Sequence, residues 1–112
     1  MFQGVAGNFE HYMTLLSARQ KLVASNIANA DTPGYRTQDI NFRSEFENAV
    51  QGQAPSTVEP DGLPVKPDGN NVNLDREARL LAENALRFSI ASSFARSDLS
   101  SIRAAIQDGK NS

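Results

Sequence analysis

The 112-residue chain has no cysteine, no tryptophan and one histidine, and only Glu10, Arg19 and Lys21 carry full charges between Met1 and Ala30. Without cysteine there are no disulfides, no thiolate metal sites and no cysteine nucleophile. His11 has no second histidine to join it, so an imidazole metal site or catalytic cluster is not readable. Serines are plentiful, but none sits in a nucleophile elbow. "DGNNVNLD", Asp68 to Asp75, fails as a calcium loop, because Asn73 stands where the loop needs glycine and Arg79 where it needs glutamate. Nothing marks an enzyme, and no cofactor, metal or small-molecule substrate is expected. A formal net charge of -2 excludes a strongly basic nucleic-acid binder, and 39% apolar content excludes a highly charged disordered tail. No apolar run approaches membrane-spanning length. The opening "MFQGVAGNFEHYM" has neither a basic start nor an unbroken apolar stretch, so it reads as no cleaved signal peptide.

What is present is periodicity at both ends. Leu74, Ala78, Leu81, Ala85, Phe88, Ser92, Ala95, Leu99, Ile102 and Ile106 step by alternating four and three, a heptad seam broken only by Ser92. The spacing predicts a helix over 73–108, capped by Asn73, with Asp75 and Glu77 at the positive end of its dipole and Gly109 as a stop. At the other end Phe2, Phe9, Leu16, Val23 and Ala30 fall at seven-residue spacing, predicting a second long helix over 1–30. The expected fold is all-α: long N- and C-terminal helices packed as a coiled-coil-like pair, with a short helix and an irregular loop between them. Phe42, Phe46 and Val50 share one face of that short helix. The loop "QGQAPSTVEPDGLPVKPDGNN" holds four of the five prolines and three of the seven glycines, with a weak hairpin expected around Pro60-Asp61-Gly62.

The scarcity of charge is informative about contact. A lone amphipathic helix normally carries a charged solvent face. Here the polar positions are instead Asn, Gln, Ser and Thr, and six serines crowd the stretch from Ser89 to Ser101. Small uncharged faces allow close helix approach on several sides, which points to a helix pair surrounded by copies of itself or relatives.

"SNIANADTPGYR", Ser25 to Arg36, places Asn26 and Asn29 on one helix face and then ends the helix abruptly. Thr32 precedes a proline and avoids the α region, and Thr32-Pro33-Gly34-Tyr35 fits a type II turn. With Asn26, Ile27, Ala28, Asn29, Asp31, Thr32, Pro33, Gly34 and Tyr35 in this order, the chain resembles the flagellar rod and hook proteins, the axial subunits of the bacterial flagellum. "VKPDGNNVNLDREARLLAENALRF", Val65 to Phe88, with Asn70 and Asn71, is similar to the proximal-rod members of that family. Arg79-Leu80 and Phe88 depart from the usual pattern, and the middle is short for it.

The resemblance implies one elongated rod-type domain over 1–112, with a turn, short helix and loop over 31–72. It implies helical assembly with other copies and other rod proteins into a hollow shaft that carries torque from motor to hook. It also implies delivery by the flagellar type III export apparatus to the basal body without a cleaved signal. On that reading the motif residues and Asn70–Asn71 serve assembly, Asn26 and Asn29 bond to an adjacent subunit, and Phe9, Leu16, Val23, Leu74, Leu81, Phe88, Leu99, Ile102 and Ile106 form the helix seam. The competing class is a soluble helical adaptor or export chaperone.

Overall fold

The computed structural model describes the backbone of residues 2–50 and 56–111, and the side chains of 7–48, 56–97 and 103–109. Three helices follow one another: α1 (Phe2–Ala28), α2 (Phe42–Val50) and α3 (Leu74–Asn111). α1 and α3 run antiparallel, with Asn26 beside Glu77, Leu16 beside Asn84 and Phe9 stacked on Phe94 at 6.5 Å. At 1.5 Å per residue α1 is about 40 Å long and α3 about 57 Å. The particle measures 72 × 26 × 18 Å and has a radius of gyration of 18.6 Å, where a compact chain of this length has about 13 Å.

α1 ends through local chemistry. The Asn29 amide donates to both Ser25 and Asn26 carbonyls, and the Ala30 amide to Ile27, tightening the last turn. Tyr35 N then donates to Thr32 O at 3.2 Å across Pro33-Gly34, and Gly34 takes φ 75°, the left-handed value that a type II turn demands at its third residue. Asn41 caps α2 by accepting from Ser44 N at 3.2 Å, and Asn73 caps α3 by accepting from Arg76 N at 3.0 Å. α2 lies against α1, Phe42 meeting Tyr12 edge to face at 5.4 Å; the Val50 side chain falls outside the described residues.

Three expectations need correction. Asp61-Gly62 makes only a turn, because the single backbone pairing nearby joins Val58 to Asp39 rather than closing a hairpin. Gly109 does not stop α3, which continues to Asn111: positive φ among the described glycines occurs at Gly34, Gly62 and Gly69 alone, and a glycine inside a helix costs only about 1 kcal/mol.

The third concerns the seam. Leu15, Leu16 and Val23 of α1 are buried, but α3 meets them with Glu77, Leu80, Asn84 and Ala91, while Leu74, Leu81, Phe88 and Ile106 stay exposed. The facing positions Glu77, Asn84 and Ala91 keep the seven-residue spacing of the expected seam but lie three residues on from Leu74, Leu81 and Phe88, about 60° around the helix, so the repeat is present and its phase is set by polar side chains rather than by the leucines. Further along, Ser92 and Ala95 are half-buried. The Leu99 and Ile102 side chains lie outside the described residues.

Order should follow this packing in dilute solution. Residues 19–40 and 70–84, tied together by directional bonds, are expected to exchange amide hydrogens slowly, whereas 103–109, beyond the reach of α1, exchange fast. Slow exchange over 103–109 in the isolated chain would contradict the packing described.

Candidate functional site

At one end of the helix pair the motif turn, the loop and the start of α3 close into a polar clasp. Asn26, fully buried, uses both amide hydrogens and its oxygen: Nδ2 donates to Gln38 O at 2.8 Å and Glu77 Oε2 at 3.2 Å, and Oδ1 accepts from Gln38 N at 3.1 Å and Tyr35 Oη at 3.0 Å. Four bonds satisfy that amide completely. Asn26 therefore does not reach an adjacent subunit, which corrects the intersubunit expectation. Its burial follows from the turn, which folds Tyr35 and Gln38 back over the helix end. Asn29 is half-buried and bonds locally, donating to Ser25 O and accepting from Thr32 Oγ1.

A charge chain extends the clasp. Arg19 binds Asp39 with two prongs at 3.1 Å each, Arg76 Nη2 reaches the same carboxylate at 2.5 Å, and Arg76 Nη1 pairs with Glu77 at 2.7 Å. The Asp39 side chain is 8% exposed and that of Glu77 0%. Two cations and two anions balance, so burial leaves no net charge uncompensated. Asp39 also accepts from Ile40 N at 2.7 Å.

Asn70 and Asn71 complete the closure. Asn70 Nδ2 donates to Asn29 O at 2.9 Å and Thr32 O at 2.8 Å, while Lys66 Nζ reaches Ala30 O at 3.2 Å, so the carbonyls past the end of α1 are satisfied by the loop. Asn71 Oδ1 accepts from Thr37 N at 2.6 Å, and Thr37 Oγ1 donates to Asn71 O. Gly69, at φ 88°, brings its backbone so close that an added Cβ would sit 3.4 Å from Gly34 Cα. Ile27, Asp31, Thr32 and Pro33 form the exposed outer edge of the same motif.

Away from the clasp the two-helix layer shows two apolar faces. Phe9, Tyr12, Phe46, Leu86, Ile90 and Phe94 line a trough of about 700 Å³ on the α2 side. Glu83 and Arg87 stand at its rim, where the Tyr12 hydroxyl and then Glu83 raise the Arg87 pKa above its ordinary value. On the opposite side Leu16, Ser17, Ala24, Asn84, Ala85 and Phe88 line a second trough of about 550 Å³. Asn84 Nδ2 donates to Leu16 O at 2.8 Å and Gln20 Oε1 at 2.9 Å, and its Oδ1 is buried without a partner. Among the described residues no three histidine, cysteine or carboxylate side chains could hold a metal, and no helix is long and apolar enough to cross a membrane.

Sequence reasoning does not single out Arg19, Thr37, Asp39, Arg76 and Glu77 as site residues. One signal exists for Arg19, as one of three charges on α1; Asp39 and Thr37 give none, because their partners lie 20 to 37 residues away.

The family profile described as "Flagella basal body rod protein" matches residues 13–36, the second half of α1 and the turn. The flagellar basal body rod protein FlgB of Salmonella typhimurium is 33% identical over 87% of this chain and 88% of its own length. The chain belongs to the FlgB family of flagellar basal body rod proteins. FlgB of Yersinia enterocolitica is 37% identical over 68% of this chain and 74% of its own, and FlgB of Proteus mirabilis 29% over 87% and 89%. The resemblance read from Asn26 to Tyr35 is borne out. The 13–36 stretch carries one half of the clasp, Arg19, Asn26 and Tyr35; the other half, Asp39, Asn70, Asn71, Arg76 and Glu77, lies beyond it.

Proposed function

We propose that this chain is a structural subunit of the flagellar basal-body rod, assembling helically with copies of itself and other rod proteins into a hollow shaft that passes torque from motor to hook. Membership of the FlgB family carries the reading. An elongated two-helix blade with apolar troughs on both sides suits it, since such faces need neighbours to cover them. Delivery is through the flagellar type III export apparatus. The residues exposed on the blade, Leu74, Leu81, Phe88 and Ile106 with Ile27 at the motif edge, are assembly surface in this reading rather than an internal seam. An adaptor or export chaperone is not favoured, the relatives being named as rod proteins.

The reading is tested in cells lacking their own copy. Supplying this chain is expected to restore swimming and to place it in purified basal bodies. Its absence from basal bodies that assemble and turn would overturn the proposal.

A further inference from the structure

One tripeptide occurs twice in the loop, as Pro60-Asp61-Gly62 and as Pro67-Asp68-Gly69. An aspartate followed by glycine is a chemically weak point, because glycine has no side chain to shield its nitrogen from the carboxyl group one residue before it. Proline precedes both aspartates, so a difference between the two copies is set by how each is folded.

The fold separates them. Gly69 N donates to Lys66 O at 2.9 Å, Asp68 O accepts from Gly34 N at 2.9 Å, and Asp68 Oδ1 accepts from Asn70 N at 3.0 Å. The Asp68–Gly69 peptide is thus held at its oxygen and its nitrogen, and the carboxyl group at one oxygen. Bringing that nitrogen onto Cγ requires breaking all three bonds. Asp61 and Gly62 are exposed, with Gly62 at φ 78° in a turn and no heavy atom within 4 Å of where its Cβ would stand. Among the described residues neither the Gly62 nitrogen nor the Asp61 carboxyl group has a hydrogen-bond or ion-pair partner.

We propose that Asp61–Gly62 is a site of spontaneous covalent modification, converting Asp61 to isoaspartate, while the same tripeptide at Asp68–Gly69 is held inert by the clasp. Gly62 N bonds to Cγ of the Asp61 carboxyl group, and its proton and the carboxyl OH leave as water, giving a five-membered imide. Water then adds back. Addition at Cγ restores aspartate, whereas addition at the main-chain carbonyl carbon breaks its bond to Gly62 N, leaving the chain running through Cγ and the α-carboxylate free. Nothing but water enters, and the mass is unchanged. At Asp61 the lengthened backbone lies in a turn that bonds to nothing in the clasp. At Asp68 it would draw the carbonyl away from Gly34 N, so the bonds that close the clasp also protect one of its own parts.

The test uses the purified 112-residue chain, kept at neutral pH and sampled over weeks. Isoaspartate is read at each site by electron-transfer fragmentation of proteolytic peptides, and checked by methyl transfer from S-adenosylmethionine with an L-isoaspartyl methyltransferase. It is expected to form at Asp61 at least about tenfold faster than at Asp68, where reaction waits on an opening that breaks several bonds. In denaturant the two rates should converge, since the tripeptides are identical. Asn70→Ala, which removes the bonds from Asn70 Nδ2 to Asn29 O and Thr32 O, should raise the Asp68 rate and leave that of Asp61 unchanged. A third Asp-Gly pair, Asp108–Gly109, is wound into α3, so its rate follows the fraying of that helix and not the loop. Equal rates in the folded chain, a faster rate at Asp68, or no isoaspartate at Asp61 where the denatured chain forms it would each overturn the assignment. So would a difference that persists in denaturant, because it would then come from sequence and not from the fold. None of these outcomes bears on the rod reading.

Discussion

Asp39→Ala is expected to open the clasp and abolish swimming. The carboxylate is the junction of the charge chain, taking two bonds from Arg19 and one from Arg76, and all three side chains are largely shielded from water. Alanine takes from Arg19 its carboxylate partner and leaves Arg76 with Glu77 alone, so the two guanidinium groups share one counter-charge where they had two, and removing one partner from a buried ion pair costs about 3–5 kcal/mol. Ile40 N also loses its acceptor. Hydrogen exchange at Val72 and Leu80 should accelerate by two orders of magnitude or more, since about 1.4 kcal/mol is a tenfold change in an opening equilibrium. Glu47→Ala, which removes only an exposed i,i+4 pair with Arg43, is the control and should be silent. Normal exchange at Val72 in the Asp39→Ala chain would mean that the charge chain does not hold α1 and α3 in register.

The second large effect separates the two motif asparagines. Asn26→Ala strips partners from Gln38 N, Gln38 O, Tyr35 Oη and one Glu77 oxygen, each buried or half-buried. Unpaired buried groups cost about 1–3 kcal/mol each, far above the half kcal/mol or so that alanine gains over asparagine as a helix former. Asn29→Ala loses only a bond to its own helix and one to Thr32, and should change stability by less than about 0.5–1 kcal/mol. The expected result is failed swimming and rapid exchange at Gln38 for Asn26→Ala, with near-normal behaviour for Asn29→Ala. Equal defects in both would remove the distinction between a buried junction and a helix-end bond.

The elements are legible because their signals are local. Asn73 caps α3, the Thr32-Pro33-Gly34-Tyr35 turn forms as its residues dictate, and the spacing of Leu16 and Val23 marks a buried stripe. The facing stripe of α3 is misread for a physical reason. Glu77 and Asn84 look like surface residues in a hydrophobicity count, yet both are buried by bonds to α1, while Leu74 and Leu81, apolar and in register, face outward. Periodicity reports which positions are apolar. It cannot report that a neighbour's Asn26 makes a carboxylate tolerable inside. The asparagine pair stands out in the sequence but its partners do not, because Gln38 and Glu77 reach Asn26 only once the turn and the loop have folded; an adjacent subunit is the wrong partner for it.

The clasp has a mechanical consequence, because it holds the two long helices at one end only. Hydrogen bonds and ion pairs are short-ranged and directional, so at Arg19, Asn26, Asp39 and Glu77 the helices cannot slide past each other without breaking several at once. At the far end, the Phe9–Phe94 stack is a dispersion contact that tolerates rolling. An axial pull on one helix is thus met as shear across bonds loaded side by side, and a sideways force at the free end opens the Phe9–Phe94 stack first and meets the Asn84 bonds to Leu16 and Gln20 only afterwards, one after another. The blade is stiff in tension and compliant in splay.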